Sequence, residues 1–212
     1  MYKTILTSIL FILCAHINLF AAPKPNKQFT IVIEAGQNGL YKGSGFIENA
    51  LSDKLTNDYI LELKKLAEEK NFNIVLAGEK DRLFDPNKRK EFLTLNKANL
   101  FLSLHFNNSE DINKRGFECY VPTDNNTYEN RVLGKFIGAE LYNVQNMKFN
   151  GVNIQKKAQL NGLTVATAII ELGYISNSND MQVISNDLSK KEICEKLVNA
   201  ISSFKAHLEM EK

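Results

Sequence analysis

The chain has 212 residues, of which 44% are hydrophobic and 24% are charged, and its formal net charge is +2. These values are typical of a single globular domain with a substantial core, and they exclude a disordered chain. Lysine and arginine are scattered among aspartate and glutamate without a basic stripe, so nucleic acid is not favoured as a partner.

The N-terminal segment has the composition of a secretory signal. Residues 5–14 form an almost unbroken apolar run, and Lys3 is the only charged residue before Lys24. Such a run is too short to cross a bilayer comfortably and is typical of a signal core. We predict a signal peptide over residues 1–21 and a linker over 22–28, with an uncleaved amphiphilic anchor as the alternative. The protein is then exported to the periplasm or cell envelope, with no stable membrane span after cleavage.

Two cysteines, Cys119 and Cys194, remain after removal of the signal. An exported chain could pair them in a disulfide, because that environment permits oxidation. The alternative is two independent small hydrophobic side chains. Neither cysteine lies in a CxxC or zinc-knuckle spacing.

Strand and helix patterns alternate along the rest of the chain. In order they are a strand at 29–35, a helix at 51–70, a strand at 74–77, a helix starting at 85–86, a strand at 98–109, a strand at 116–122, a helix at 128–146, a strand at 165–177 and a helix at 188–208. This alternation predicts a single α/β domain over residues 29–212. Its central sheet is mostly parallel or mixed, with helices covering both faces.

Three polar residues directly follow buried strand patterns: Gln37, His105 and Glu171. In sheets of this class, chemistry occurs where the strands deliver their carboxyl ends. We therefore expect these side chains to lie close together at one edge of the sheet.

His105 is the strongest single candidate among these residues. The chain has three histidines, and the other two, His16 and His207, lie in the predicted signal and near the C-terminus. A buried histidine that is hydrogen-bonded to the backbone explains His105 equally well. A metal-ligating imidazole must be neutral, with its second nitrogen held by a neighbouring group.

Two glutamates could accompany it. Glu171 follows a buried run, where desolvation would raise its pKa and suit it to proton transfer; a salt-bridged carboxylate is the alternative. Glu48 precedes the helix pattern that begins at Leu51, where the helix dipole also favours an acidic residue. Two histidines, one glutamate and a water form the ligand set of many zinc hydrolases. This chain offers one suitably placed histidine.

Five motifs occur in order over about residues 28–208: IVIEAGQNG, GFIEN, ANLFLSLHFNNS, RGFECYV and AIIELGYISNSND. Together they resemble the zinc-dependent N-acetylmuramoyl-L-alanine amidases of bacterial cell-wall turnover. In that family the first strand ends in D-x-G-H-G-G, a glutamate opens the first helix, S-I-H-A-N closes a central strand, and V-E-x-G-F-x-S-N holds the catalytic glutamate. The resemblance implies an α/β fold, an exported location, peptidoglycan as substrate and zinc as cofactor.

The resemblance also implies roles for individual residues. His105 matches the second zinc histidine, and Glu171 matches the catalytic acid and base. Glu48 matches the zinc glutamate through its GFIE context, although the helix register that follows favours Ser52 at that position. We also expect Asn107 to bind substrate.

The first zinc histidine of the family is replaced by Gln37, and the aspartate of the same motif by Glu34. Zinc prefers imidazole, thiolate and carboxylate ligands, so a carboxamide should weaken the site. The site could be rescued by the Gln37 oxygen as a weak ligand, by Glu34 turning inward as a carboxylate ligand, or by a different and harder metal.

Two functions therefore remain open. One is an amidase that cleaves the bond between N-acetylmuramic acid and L-alanine through an altered metal site. The other is an inactive relative that binds peptidoglycan or a cell-wall partner without turnover. A third reading, an α/β hydrolase of another kind, is not supported by any G-x-S-x-G motif or reactive cysteine motif.

Overall fold

The computed structural model describes residues 28–35, 46–77, 86–123, 127–154, 160 and 162–211. Of residues 46–50 and 127 it describes the backbone alone. The predicted signal peptide and all but the last residue of the predicted linker lie outside the described residues. None of the helices in the described ranges is long and apolar enough to cross a membrane.

Six strands form one mixed sheet in the order β2-β1-β3-β6-β4-β5. The strands are β1 Thr30–Ala35, β2 Asn73–Ala77, β3 Leu100–Asn107, β4 Phe117–Val121, β5 Phe149–Ile154 and β6 Ala166–Tyr174. The first four in this order run parallel to one another, β4 runs antiparallel to β6, and β5 runs parallel to β4. The central strands are almost continuously apolar because both faces of the sheet are covered.

Helices cover both faces, as predicted, but unequally. They are α1 Phe46–Glu69, α2 Pro86–Leu95, α3 Thr127–Leu141, α4 Ser178–Ile184 and α5 Asp187–Met210. The larger core packs α1, α3 and α5 against one face of the sheet. The smaller core, on the other face, packs Leu93 of α2 against Val32 and Phe101. The single α/β domain that the sequence predicts is therefore confirmed.

Several element boundaries differ from the sequence prediction. Helix α1 begins at Phe46, five residues before the predicted start, so Glu48 lies inside its first turn. Helix α3 ends at Leu141, and a turn containing Asn146 with φ 63 follows it. The sequence prediction missed β5 and α4 entirely. Gly151 with φ 111 interrupts the apolar pattern of β5, and α4 has only seven residues.

The two strands that carry His105 and Glu171 lie within the predicted ranges 98–109 and 165–177, but they continue past both side chains. Strand β3 continues to Asn107 and β6 continues to Tyr174, so both side chains lie within strands rather than after them. The reason is that β3 and β6 pair along this stretch, with His105 opposite Glu171. Ladder hydrogen bonds thus extend the strands beyond the apolar run that the sequence pattern reveals.

A buried carboxylate joins the end of β6 to the start of β4. The Oδ2 atom of Asp180, a residue that is 1% exposed, accepts hydrogen bonds from the backbone N–H groups of Gly116 at 2.6 Å and Tyr174 at 2.9 Å. Gly116 has φ 96, and a Cβ there would lie 2.3 Å from the carbonyl oxygen of Lys148. Asp180 lies in the first turn of α4, which Asn177 caps, so its carboxylate holds the end of β6 and the start of β4 against this helix.

The two cysteines are free thiols buried in the larger core. Burial raises the pKa of Cys119 to about 12. Burial also raises the pKa of Cys194, whose Sγ donates a hydrogen bond to the carbonyl oxygen of Tyr59 at 3.6 Å. The structure therefore matches the reading of two independent hydrophobic side chains.

We predict that Cys119 and Cys194 resist alkylation by iodoacetamide in the native protein at about pH 8, because buried thiols with raised pKa values provide almost no thiolate. Peptide mass spectrometry should find both unmodified. The same sample unfolded in guanidinium chloride is the control and should be modified at both. Equal modification in the native and unfolded samples would contradict the described burial.

Candidate functional site

A row of three polar residues crosses the middle of the sheet on the face that carries α2. His105 of β3 is the register partner of Glu171 of β6, and Glu171 is in turn the register partner of Glu118 of β4. Register partners point to the same face, with Cβ atoms about 5 Å apart. All three residues are half-buried. We call these residues the central row.

Tyrosines and an amide surround the carboxylates of the central row. Asn153 Nδ2 donates to Glu118 Oε2 at 3.0 Å. Burial raises the pKa of Tyr120, and the negative charges of Glu118 and Glu171 raise it further. Burial likewise raises the pKa of Tyr174, with additions from the same two carboxylates and Asp180. Both phenol groups therefore stay protonated and can act as hydrogen-bond donors beside Glu171.

The imidazole of His105 is oriented by a buried serine. Ser103 Oγ lies 2.8 Å from His105 Nε2, and Ser103 is 3% exposed. Glu34 of the neighbouring strand is the register partner of Ser103, and its carboxylate accepts a hydrogen bond from the serine hydroxyl. A chain of polar contacts thus runs from Glu34 through Ser103 to His105. A metal at Nε2 would have to displace the serine contact.

Glu34 forms a buried ion pair with Arg89 of α2. Arg89 Nη2 lies 3.0 Å and 3.1 Å from the two carboxylate oxygens, and the two side chains are 6% and 16% exposed. The guanidinium also lies 5.6 Å from the centre of the Phe101 ring. Burial raises the pKa of Glu34, outweighing the opposing effect of Arg89. The predicted rescue ligand is therefore occupied by a guanidinium.

Sequence reasoning did not single out Arg89 or Glu118. Arg89 lies four residues before Leu93 and shares its buried face of α2, an unusual place for a charge. Glu118 lies in the RGFECYV motif between the fully buried Phe117 and Cys119. In both cases the signal is a charged residue inside a buried pattern, which requires a partner.

The structure describes the other candidate residues only in part. Gln37 lies outside the described residues, as does the side chain of Glu48. Ser52 lies one helical turn after Glu48 and is 2% exposed. Asn107 is the last residue of β3, is half-buried, and its Oδ1 accepts the backbone N–H of Asn108 at 2.9 Å.

The described residues alone do not fit a zinc ion. Among them, no group of three or more histidine, cysteine, aspartate or glutamate side chains could hold a metal. His105 contributes an imidazole, whereas Glu34 is paired with Arg89. Further ligands would have to come from outside the described residues, where the predicted ligand Gln37 and the side chain of Glu48 also lie.

Comparison of the sequence with known protein families identifies the family of this chain. The family model described as N-acetylmuramoyl-L-alanine amidase matches residues 31–203. The chain belongs to this amidase family. The match runs from β1 into α5 and includes the whole central row.

Individual relatives agree with this membership. The chain is 28% identical over 185 residues to the uncharacterized protein YqiI of Bacillus subtilis, covering 86% of this chain and 88% of the relative. It is 28% identical over 167 residues to a putative N-acetylmuramoyl-L-alanine amidase of Buchnera aphidicola, and the match covers 78% of this chain and 67% of the relative. The CwlD amidase of Clostridioides difficile, solved in complex with the GerS lipoprotein, has the same fold, with a TM-score of 0.70, 21% identity, and coverage of 85% and 100%.

We predict that Arg89→Met lowers the free energy of unfolding by about 3 kcal/mol near neutral pH, because it leaves a buried carboxylate unpaired. The ordinary pKa of this carboxyl is 4.5, the folded protein raises it, and loss of the lowering effect of Arg89 raises it further. The deficit should therefore be small below the ordinary value and grow as the pH rises through the folded pKa.

Urea denaturation at several pH values measures this effect, with the double variant Glu34→Gln/Arg89→Met as the matched control. The double variant should recover part of the loss, because it contains no buried charge. An equal deficit in both variants at every pH would contradict the described ion pair.

Proposed function

We propose that this member of the amidase family hydrolyses the amide between N-acetylmuramic acid and L-alanine in peptidoglycan, with Glu171 as the residue that moves the proton. The supporting observation is the position of Glu171 at the centre of the central row. It lies between His105 and Glu118 on adjacent strands. It also lies at the carboxyl ends of the parallel strands, where such folds place their chemistry.

In the proposed reaction, Glu171 accepts a proton from the attacking water, and the water oxygen bonds to the carbonyl carbon of the amide. The carbon–nitrogen bond then breaks, and Glu171 returns the proton to the nitrogen of the departing L-alanine. Tyr174 stays protonated and can donate a hydrogen bond to the carbonyl oxygen as negative charge develops there, whereas the hydroxyl of Tyr120 donates to Glu118. We assign substrate binding to Asn107 at the end of β3.

Zinc is the cofactor that the family implies, and its fit to this chain is a separate question. His105 would be a ligand, but the Gln37 carboxamide is a poor substitute for an imidazole. Glu48, or Ser52 in the alternative register, would supply the remaining position. Because the described residues do not complete a metal site, no step of the reaction above is assigned to the metal.

A second candidate function is a binding protein that recognises peptidoglycan or a cell-wall partner without turnover. Gln37 favours it, because a neutral carboxamide weakens any metal site at this position. The contact between Ser103 and His105 Nε2 at 2.8 Å also favours it, since the imidazole already has a protein partner there.

The proposed substrate implies the location of the protein. Peptidoglycan lies outside the cytoplasmic membrane, so an amidase must be exported to reach it. We therefore propose that residues 1–21 act as a signal peptide and that residues 22–28 link it to the domain at 29–212.

We predict that Glu171→Gln abolishes the appearance of peptides with a free N-terminal L-alanine from purified peptidoglycan. The reason is that the carboxamide of glutamine cannot accept and return the proton. The melting temperature should change little, since glutamine has nearly the same shape. Glu91→Gln, at an exposed position of α2, is the matched control and should leave the rate unchanged. Persistent hydrolysis by Glu171→Gln would show that the assigned mechanism is wrong.

We predict that Gln37→His raises zinc affinity, because imidazole is a far better zinc ligand than a carboxamide. Metal analysis after dialysis and zinc-dependent thermal stabilisation measure the effect, with a chelator reversing it. About one zinc per chain in the native protein would favour the amidase. Zinc in the variant alone would favour the binding protein, and equal affinity would mean that the loop does not face His105.

A further inference from the structure

A polar groove of about 650 Å³ lies where the β3–β4 loop, the turn after α3 and the start of α5 meet. Its volume lies in the range of small-molecule binding sites. Four of its lining residues are carboxamides whose side chains make no hydrogen bond to another described residue: Gln145, Asn146, Asn179 and Gln182. Each offers both a donor and an acceptor. Groups of this kind match the alternating N–H and C=O groups of a peptide.

Two opposite charges also line the groove without pairing with each other. Arg115 and Glu192 both line it, and within the described ranges neither forms an ion pair. The Nε of Arg115 is a buried donor with no hydrogen-bond partner among the described atoms. Separated and unpaired charges of opposite sign complement a ligand that carries both a carboxylate and an ammonium group.

The groove lies at the same end of the strands as the central row, but beside the face of the sheet that carries α3 and α5. Arg115 directly precedes Gly116 in the chain. The backbone N–H groups of Gly116 and Tyr174 both donate to the carboxylate of Asp180. Glu171 lies three residues before Tyr174 on β6. Asn179 of the groove directly precedes Asp180 in α4. A single buried carboxylate thus connects the groove to the strand that carries the proposed proton carrier.

We propose that this groove binds a short peptide bearing a carboxylate and an ammonium group, with Arg115 pairing with the carboxylate and Glu192 with the ammonium. The free carboxamides hydrogen-bond to the peptide groups between them. This inference rests on the proposed function, since peptides of this chemistry extend from N-acetylmuramic acid in peptidoglycan. The groove then recognises the peptide side of the substrate, whereas the central row acts on the amide.

The test uses the purified protein and the tripeptide L-alanyl-γ-D-glutamyl-L-lysine, which carries amides, carboxylates and ammonium groups. Heteronuclear NMR titration should shift resonances of Asn146, Asn179 and Gln182. Arg115→Gln and Glu192→Gln should each weaken tripeptide binding by about tenfold, the usual effect of losing one charge-assisted hydrogen bond. A tripeptide with amidated carboxylates should bind native protein and Arg115→Gln equally weakly.

Arg131→Gln and Glu91→Gln are the matched controls, because they remove the same charges from exposed positions of α3 and α2. Both should bind the tripeptide like the native protein. Circular dichroism melting confirms that each variant is folded. If Arg115→Gln does not fold, Glu192→Gln still tests the proposal.

Sedimentation with insoluble peptidoglycan separates this inference from the proposed function. If the protein sediments with peptidoglycan but the tripeptide shifts no groove resonance, the groove assignment is overturned and the proposed function stands. Unchanged tripeptide affinity in both charge variants also overturns it. If the protein neither sediments with peptidoglycan nor binds the tripeptide, both proposals are overturned.

Discussion

The parallel pairing of β3 with β6 is the constraint on which the rest of the site depends. It places His105 opposite Glu171, two residues far apart in the chain. The opposite face of β3 secures this register, because Leu100, Leu102 and Leu104 are fully buried there, each contributing roughly 2 kcal/mol. A shift by one residue would turn these leucines toward the polar face. Apolar packing on one face thus fixes the polar arrangement on the other.

Three carboxylates on or beside the polar face are half or largely buried, and each of these three is compensated by specific contacts. Arg89 neutralises Glu34, Asn153 and Tyr120 hold Glu118, and Asp180 accepts two backbone N–H groups. Such contacts are needed because an unpaired buried charge costs several kcal/mol. They also limit the alternatives open to the site. Glu34, with both oxygens at its guanidinium partner, would have to give up that pair before it could ligate a metal.

The antiparallel strand β4 gives the site its second carboxylate. Because β4 runs against β6, its first residues lie at the edge where the parallel strands end. Glu118 therefore reaches Glu171, and Arg115 lies just beyond the sheet at the polar groove. An all-parallel sheet would have placed the end of β4 there instead. The direction of one strand thus determines which charges surround the proposed proton carrier and which line the groove.

The sequence by itself determined the alternation of strands and helices, the apolar core strands, the family motifs and the chemical oddity of Gln37. These features are local, since side-chain periodicity and short motifs record them directly. Only the tertiary structure decided that Ser103 holds His105, that Arg89 holds Glu34, and that Glu118 lies beside Glu171. It also decided the lengths of β3 and β6 and the presence of β5. The reason is that strand order, direction and register depend on contacts between distant segments, which no local pattern specifies.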